Sequence, residues 1–194
     1  MCSSLLLASN SPRRRELLAE AGFDFAVASP RVTEKLDIGL TLRELTAFNA
    51  FRKGMSIARV HPKQIVLAAD TMVGVGNRII GKPKDLGEAV TILRLLSGRD
   101  HEVCSSVFIC QMERTRSTSF QEISRVHFRE LSDLVIYAYV ERVNPLDKAG
   151  AYAAQGGGNS VIAKIEGSYT NVVGLPMEKT IAALAKFGVR PSSA

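Results

Sequence analysis

The amino-acid sequence predicts an α/β protein built on a mixed sheet. Strand-like apolar runs alternate with helical stretches along the whole chain, which argues against a sandwich or a helical bundle. Some connections are long enough for a crossover and others are tight turns, so parallel and antiparallel pairing are both expected. The 194 residues, 46% apolar and 23% charged, have ordinary globular composition. No repeat and no long Ser/Gly/Pro linker divides them, so residues 1–194 read as one domain that buries roughly 70% of its extended surface.

The elements follow in order. Leu5 to Ala8 is a buried strand, broken by Ser9-Asn10-Ser11-Pro12. Ser11 suits an N-cap and Pro12 the first helical position, so Arg13 to Ala21 is helical until Gly22 stops it. Phe25 to Ala28 is a short strand. Thr41 to Val60 is a long helix whose Thr41 and Glu44 have capping-box spacing. Ile65 to Ala69 is a second buried strand. Thr71 to Val75 and Arg78 to Ile80 flank Gly76-Asn77 as a hairpin. Leu86 to Leu96 is an amphipathic helix behind the Asp85 cap. His101 to Cys110 and Ser117 to Phe128 are long alternating strands, and Ser132 to Arg142 is helical. Asn144 to Gly158 is a long polar loop, Val161 to Ile165 a strand, and Met177 to Phe187 a closing helix.

Four constellations could carry chemistry. Ser9-Asn10-Ser11-Pro12-Arg13-Arg14-Arg15 joins a strand to a helix start, where free N–H groups, hydroxyls and guanidinium groups suit phosphate. Three arginines there oppose the helix macrodipole, a conflict that favours a ligand over a plain solvated cap. Ala68-Ala69-Asp70-Thr71 puts a carboxylate at a strand end, fit to hold a metal, to take a proton from water, or merely to turn the chain. Gly81-Lys82-Pro83-Lys84-Asp85 lacks the spacing of a Walker A loop, yet Lys82 can reach a phosphate as a point charge or lie in a basic turn. Asp147 to Gly158 is long for a connection, and Gly156 to Gly158 allow backbone to approach a ligand, or the stretch is merely a flexible link.

The net charge of +6 fits either a basic surface or an anionic partner. Cys104 and Cys110 share one strand at about 20 Å, too far to bridge, and with Cys2 they read as reduced thiols. There is no metal-binding Cys or His spacing, and His61, His101 and His127 are scattered. The apolar run Leu5 to Leu7 is too short for a signal peptide and no segment approaches a membrane span, so a cytoplasmic protein is expected. Without Trp or interleaved aromatic and basic residues, nucleic-acid binding rests on net charge alone.

Taken together the motifs resemble the Maf family of nucleoside triphosphate pyrophosphatases. The match runs from Leu6-Leu7-Ala8-Ser9-Asn10-Ser11-Pro12-Arg13-Arg14 and Glu16-Leu17-Leu18 through Val32-Thr33-Glu34, Lys53, Ala69-Asp70-Thr71 and Gly81-Lys82-Pro83-Lys84-Asp85. It continues through Leu96-Ser97-Gly98, Phe128 to Ser132, Pro145 to Gly156, Gly167-Ser168-Tyr169 and Val173-Gly174-Leu175-Pro176. The stretch from Leu45 to Arg52 departs from the family's more charged pattern, and Asn144 replaces its common Glu.

The resemblance implies an elongated mixed sheet flanked by helices, with two lobes around a central cleft, and a homodimer. It implies hydrolysis of a nucleoside triphosphate between the α- and β-phosphates with a divalent metal such as Mg²⁺ or Mn²⁺. Asp70 would be the general base and a metal ligand, Glu34 a second acid at the metal, and Ser9, Ser11, Arg14, Lys53 and Lys82 phosphate contacts. Arg13, Thr71 and Gln155 match the branch acting on dTTP and UTP, whereas the 7-methyl-GTP branch resembles Ser-Pro-Trp, Asp-Gln and a Glu. A neutral Gln offers donor and acceptor to a uracil or thymine edge. Other readings are a 7-methyl-GTP-type pyrophosphatase, a non-enzymatic cell-division interaction protein and a salt-sensitive nucleic-acid binder.

Overall fold

The computed structural model describes residues 4–36 and 39–192. Its single sheet has the expected mixed α/β character. Strands β1 (Leu5–Ala8), β2 (Ala26–Ala28), β3 (Ile65–Val75), β5 (Asp100–Gln111), β6 (Arg116–Phe128) and β7 (Ile162–Glu166) lie in the order β2-β1-β3-β5-β6-β7, and β4 (Arg78–Ile80) pairs with β3. The β1 pairings are parallel and all others are antiparallel.

Helices cover both faces. Alternation along β3 puts Leu67, Ala69, Val73 and Val75 on one face and Val66 and Ala68 on the other. Helices α1 (Pro12–Glu20) and α6 (Met177–Lys186) pack on Leu5, Leu7, Leu67, Ala69, Val107 and Ile109 at one end of the first face. Helices α3 (Leu86–Leu96) and α4 (Asp133–Arg142) pack on Val73, Val75, Val103 and Val126 at the other end. Two apolar cores thus share one sheet, which produces the two lobes. Helix α2 (Leu42–Ala58) covers the second face over Leu6, Ala8, Val66, Ala68 and Phe108. It lies close because residue 54 is Gly: a Cβ there would meet the Phe108 ring at 2.5 Å and the Ala68 Cβ at 3.3 Å.

The capping box of Thr41 and Glu44 and the Asp85 cap form as their spacing predicts. Three expectations need correction. The two strands expected on either side of Asp70 are one continuous strand, so Asp70 lies within β3 rather than at a strand end. The polar loop after Asn144 carries short 3-10 turns at Ala149–Ala151 and Gly158–Ser160, with Tyr152 and Ala153 buried in the core. A short helix, α5 (Tyr169–Val173), capped by Ser168, was not expected. Cys104 and Cys110 are buried thiols on β5, while Cys2 falls outside the described residues.

Beneath that loop, His101 is buried with its Nε2 2.8 Å from the Tyr152 hydroxyl and its ring edge-on to Phe128 and Tyr152. Burial drives its pKa down to about 4, against weaker upward pulls from the Arg99 backbone and Asp100. The unfolded histidine titrates near about 6.5. The stability carried by the neutral ring is therefore intact above about pH 6.5 and is lost as pH falls through about 4. Thermal unfolding across that window should show a falling Tm, with a shallower slope for His101→Phe. Equal slopes for the two proteins would exonerate His101.

Candidate active site

Strand register creates the site. β1 pairs with β3 from Leu5↔Ile65 to Ala8↔Ala68, and β4 pairs with the far half of β3 from Val73↔Ile80 to Val75↔Arg78. Neither reaches Ala69, Asp70, Thr71 or Met72, so that edge of the sheet has a gap. β1 runs toward the gap and releases Ser9 to Arg14 beside it. β4 also runs toward it and releases Gly81 and Lys82 from the opposite side. Ligands of α/β proteins favour such crevices at strand ends. The resulting cleft, about 280 Å³, is lined by Ser9, Ser11, Arg13, Arg14, Glu34, Lys53, Asp70, Thr71 and Lys82 among others.

The polar residues of the gap form a belt between the two cores. Asp70 pairs with Ser106, and Thr71 with Ser105, across the β3–β5 ladder. On the α2 face, Asp70 is 2% exposed, and its Oδ1 accepts a 2.6 Å hydrogen bond from Lys53 Nζ. Lys53 Nζ also donates to Glu34 Oε1 at 2.6 Å, and Lys82 Nζ reaches both Glu34 oxygens at 3.1 and 3.2 Å. Burial pushes the Asp70 carboxyl above the ordinary carboxylate range, with Lys53 opposing and the charge of Glu34 adding to the rise. Burial also lifts Glu34, but Lys53 and Lys82 together outweigh it and hold that carboxyl at about 2. Two neighbouring acids are thereby split. Glu34 is held firmly ionised, while Asp70 is the more basic carboxylate.

On the other face, Arg14 is 8% exposed. It donates from Nε to the Gly174 carbonyl at 2.8 Å, from Nη1 to Ser9 Oγ at 3.3 Å and from Nη2 to Thr71 Oγ1 at 3.0 Å. Burial lowers its pKa, and Asp70 and Glu34 oppose that fall. Gly174 caps α5 at φ +128°, a conformation that strains any residue with a Cβ. Thr71 Oγ1 is 2.8 Å from Ser105 Oγ, whose own proton goes to the Asn171 carbonyl. Ser9 Oγ accepts from the Ser11 backbone N–H at 3.2 Å. Ser11 is the N-cap of α1, but its side chain makes no cap bond. The N-terminal N–H groups of α1 therefore lack the usual hydroxyl partner.

Arg13 crosses the cleft to the loop of the other lobe. It donates from Nη1 to Asp147 Oδ2 at 2.7 Å and from Nη2 to the Asp147 carbonyl at 3.0 Å. Asp147 also accepts from Lys148 Nζ at 2.6 Å. Gln155 is half-buried and does not line the cleft, although Ala154 beside it does. The site thus gathers Ser9, Ser11, Arg13, Arg14, Glu34, Lys53, Asp70, Thr71 and Lys82, and leaves Gln155 at its margin. Sequence reasoning does not find the individual roles of Asn49, Ser105, Asp147 and Gly174. Each acts through a partner distant in sequence.

Among the described residues no three His, Cys, Asp or Glu side chains are grouped as a metal cage. Glu34 and Asp70 nevertheless share one ammonium group, each with an oxygen 2.6 Å from Lys53 Nζ. Two such carboxylates suit Mg²⁺ or Mn²⁺, whose coordination substrate phosphates and water commonly complete. The donor set therefore fits a divalent ion that arrives with a polyphosphate. No helix among the described residues is long and apolar enough to cross a membrane.

The chain is similar to known proteins over nearly its whole length. A dTTP/UTP pyrophosphatase of Bacillus pumilus is 41% identical over 97% of this chain and 99% of its own. One of Symbiobacterium thermophilum is 42% identical over 95% of this chain and 94% of its own. Among solved structures, the Staphylococcus aureus Ham1 protein covers 65% of this chain and 72% of its own at 14% identity, with a TM-score of 0.43. The model of the Maf-like proteins matches residues 4–187, and the chain belongs to that family.

Proposed function

We propose that this protein is a nucleoside triphosphate pyrophosphatase that hydrolyses dTTP and UTP to the monophosphate and pyrophosphate with a divalent metal. The observation that carries the proposal is the sheet gap. It joins Arg14, Lys53, Lys82 and the start of α1 to a single buried, unusually basic carboxylate, Asp70. Cations without a base would suit a phosphate-binding module, and a base without cations would suit many hydrolases. Their combination suits phosphoryl-group hydrolysis, and the names of the relatives support the same reaction class.

Asp70 accepts a proton from water as the water oxygen bonds to the α-phosphorus. The bond from that phosphorus to the bridging oxygen breaks, and its electron pair leaves with pyrophosphate. A carboxylate has about four lone-pair directions, so the Lys53 contact leaves Asp70 room to accept this proton. Arg14 and Lys82 stabilise the growing negative charge, and the Ser11 end of α1 adds backbone donors. Glu34 and Asp70 would hold the metal, which supplies further charge stabilisation to the phosphate oxygens. Lys53 keeps the two acids together while the cleft is free of nucleotide.

Base selection is assigned to Arg13, Thr71 and Gln155. The Asp147 contacts fix the Arg13 guanidinium, and Thr71 acts through Arg14. Pyrophosphate release measured over a panel of triphosphates with Mg²⁺ or Mn²⁺ tests the proposal. The kcat/KM for UTP and dTTP should exceed that for 7-methyl-GTP and CTP by at least about tenfold, the worth of one well-made hydrogen bond. Preference for 7-methyl-GTP would reject the base assignment. Absence of turnover on the whole panel would reject the enzyme.

A further inference from the structure

Glu34 lies in a segment, residues 30–36, that has neither helix nor strand to hold it. Two side chains of α2 clip the backbone on either side of it. Arg52 Nη1 donates to the Thr33 carbonyl at 2.8 Å from the exposed side. Asn49, 1% exposed, accepts from the Lys35 N–H at 3.0 Å and donates from Nδ2 to the Lys35 carbonyl at 2.9 Å, as a neighbouring strand would. The same Nδ2 lies 3.4 Å from Asp70 Oδ2, the oxygen that Lys53 does not take. Asn49 and Lys53 are one helical turn apart and point to one side of α2. One face of one helix therefore meets both acids.

We infer that Asn49 is a positioning residue that sets the separation of Glu34 and Asp70. It anchors the Glu34 backbone while its amide touches the outer oxygen of Asp70. A simple packing role does not account for this arrangement, because a buried aliphatic side chain would fill the space and leave Lys35 N–H and C=O without these partners. Both donor positions of the amide are engaged, on the Lys35 carbonyl and on Asp70, and its oxygen accepts from the Lys35 N–H. The inference rests on the proposed pairing of Glu34 and Asp70 at a metal and adds the device that keeps the pair in register.

The test uses the full-length protein and the variants Asn49→Leu, Asn49→Ala and Asn49→Gln. Mn²⁺ binding is followed by electron paramagnetic resonance in the presence of a non-hydrolysable α,β-methylene dUTP, and hydrolysis of UTP is measured in parallel. The Leu and Ala variants should bind Mn²⁺ about tenfold more weakly and lose about tenfold or more in kcat, with KM for UTP within about threefold. Asn49→Gln retains both amide functions and should recover part of each loss. Ala favours the helix, so it decides the matter should Leu fail to fold. Folded Leu or Ala variants that are less heat-stable yet keep wild-type Mn²⁺ affinity and kcat overturn the inference. In that event, an inactive Asp70→Asn still upholds Asp70 as base. Near-normal turnover by Asp70→Asn instead rejects that base, while weakened Mn²⁺ binding by Asn49→Ala still supports the positioning role.

Discussion

Asp70→Asn is expected to lower kcat by about a thousandfold, within the usual worth of a positioned general base. KM and nucleotide affinity should change only a few fold. The substitution preserves shape and removes one thing, the basic carboxylate in the sheet gap. The cationic surroundings survive, because Lys53 keeps its 2.6 Å bond to Glu34 and Arg14 keeps Ser9, Thr71 and Gly174. Burial already disfavours the ionised form of Asp70, so a neutral amide should leave the fold intact. Pre-steady-state nucleotide binding and pyrophosphate release, measured on the same preparation, separate the two effects. A variant that binds UTP and turns it over at near wild-type rate would remove Asp70 from proton transfer.

The sequence reveals the features of this molecule whose causes are local. Thr41 with Glu44, Asp85 with Glu88, and the Ser11-Pro12 start of α1 each signal a helix within four residues, and each helix begins there. The error at Asp70 has a physical reason. A charged residue after an apolar run reads as a strand end, because nothing nearby in sequence compensates a buried carboxylate. The compensation comes from Lys53, 17 positions earlier on α2. Helix α5 spans only five residues, too few for periodicity to register. The Asn49 clip to Lys35 spans 14 positions, and the Arg13–Asp147 link spans 134. The structure gathers the residues that the sequence marks, Gln155 excepted, into one cleft, while the geometry that joins them depends on register and tertiary packing.

Lys53→Met should be the most damaging single change to stability in the cleft. Lys53 is 6% exposed, and its ammonium group holds Asp70 and Glu34 simultaneously. Without it, Glu34 still has Lys82 at the rim, but Asp70 is left as a buried acid without its ion-pair partner, facing another carboxylate with only the longer Asn49 contact and the more distant Arg14 charge to offset it. Breaking a buried pair in this way costs about 3–5 kcal/mol. For a domain of this size that corresponds to a fall in Tm of about 6–20 °C. The double variant Lys53→Met with Asp70→Asn discriminates between charge and packing. If the loss comes from the stranded carboxylate, the double variant should be more stable than Lys53→Met alone by about 2 kcal/mol or more, since neither buried charge remains. If the loss comes from poorer packing of methionine in place of lysine, the second substitution will not restore it, and the ion-pair account of this site fails. Hydrolysis should remain absent in either case, because the recovered protein still lacks the base. Stability regained without activity would show that the lysine is required by the charge of Asp70, and Asp70 by the chemistry.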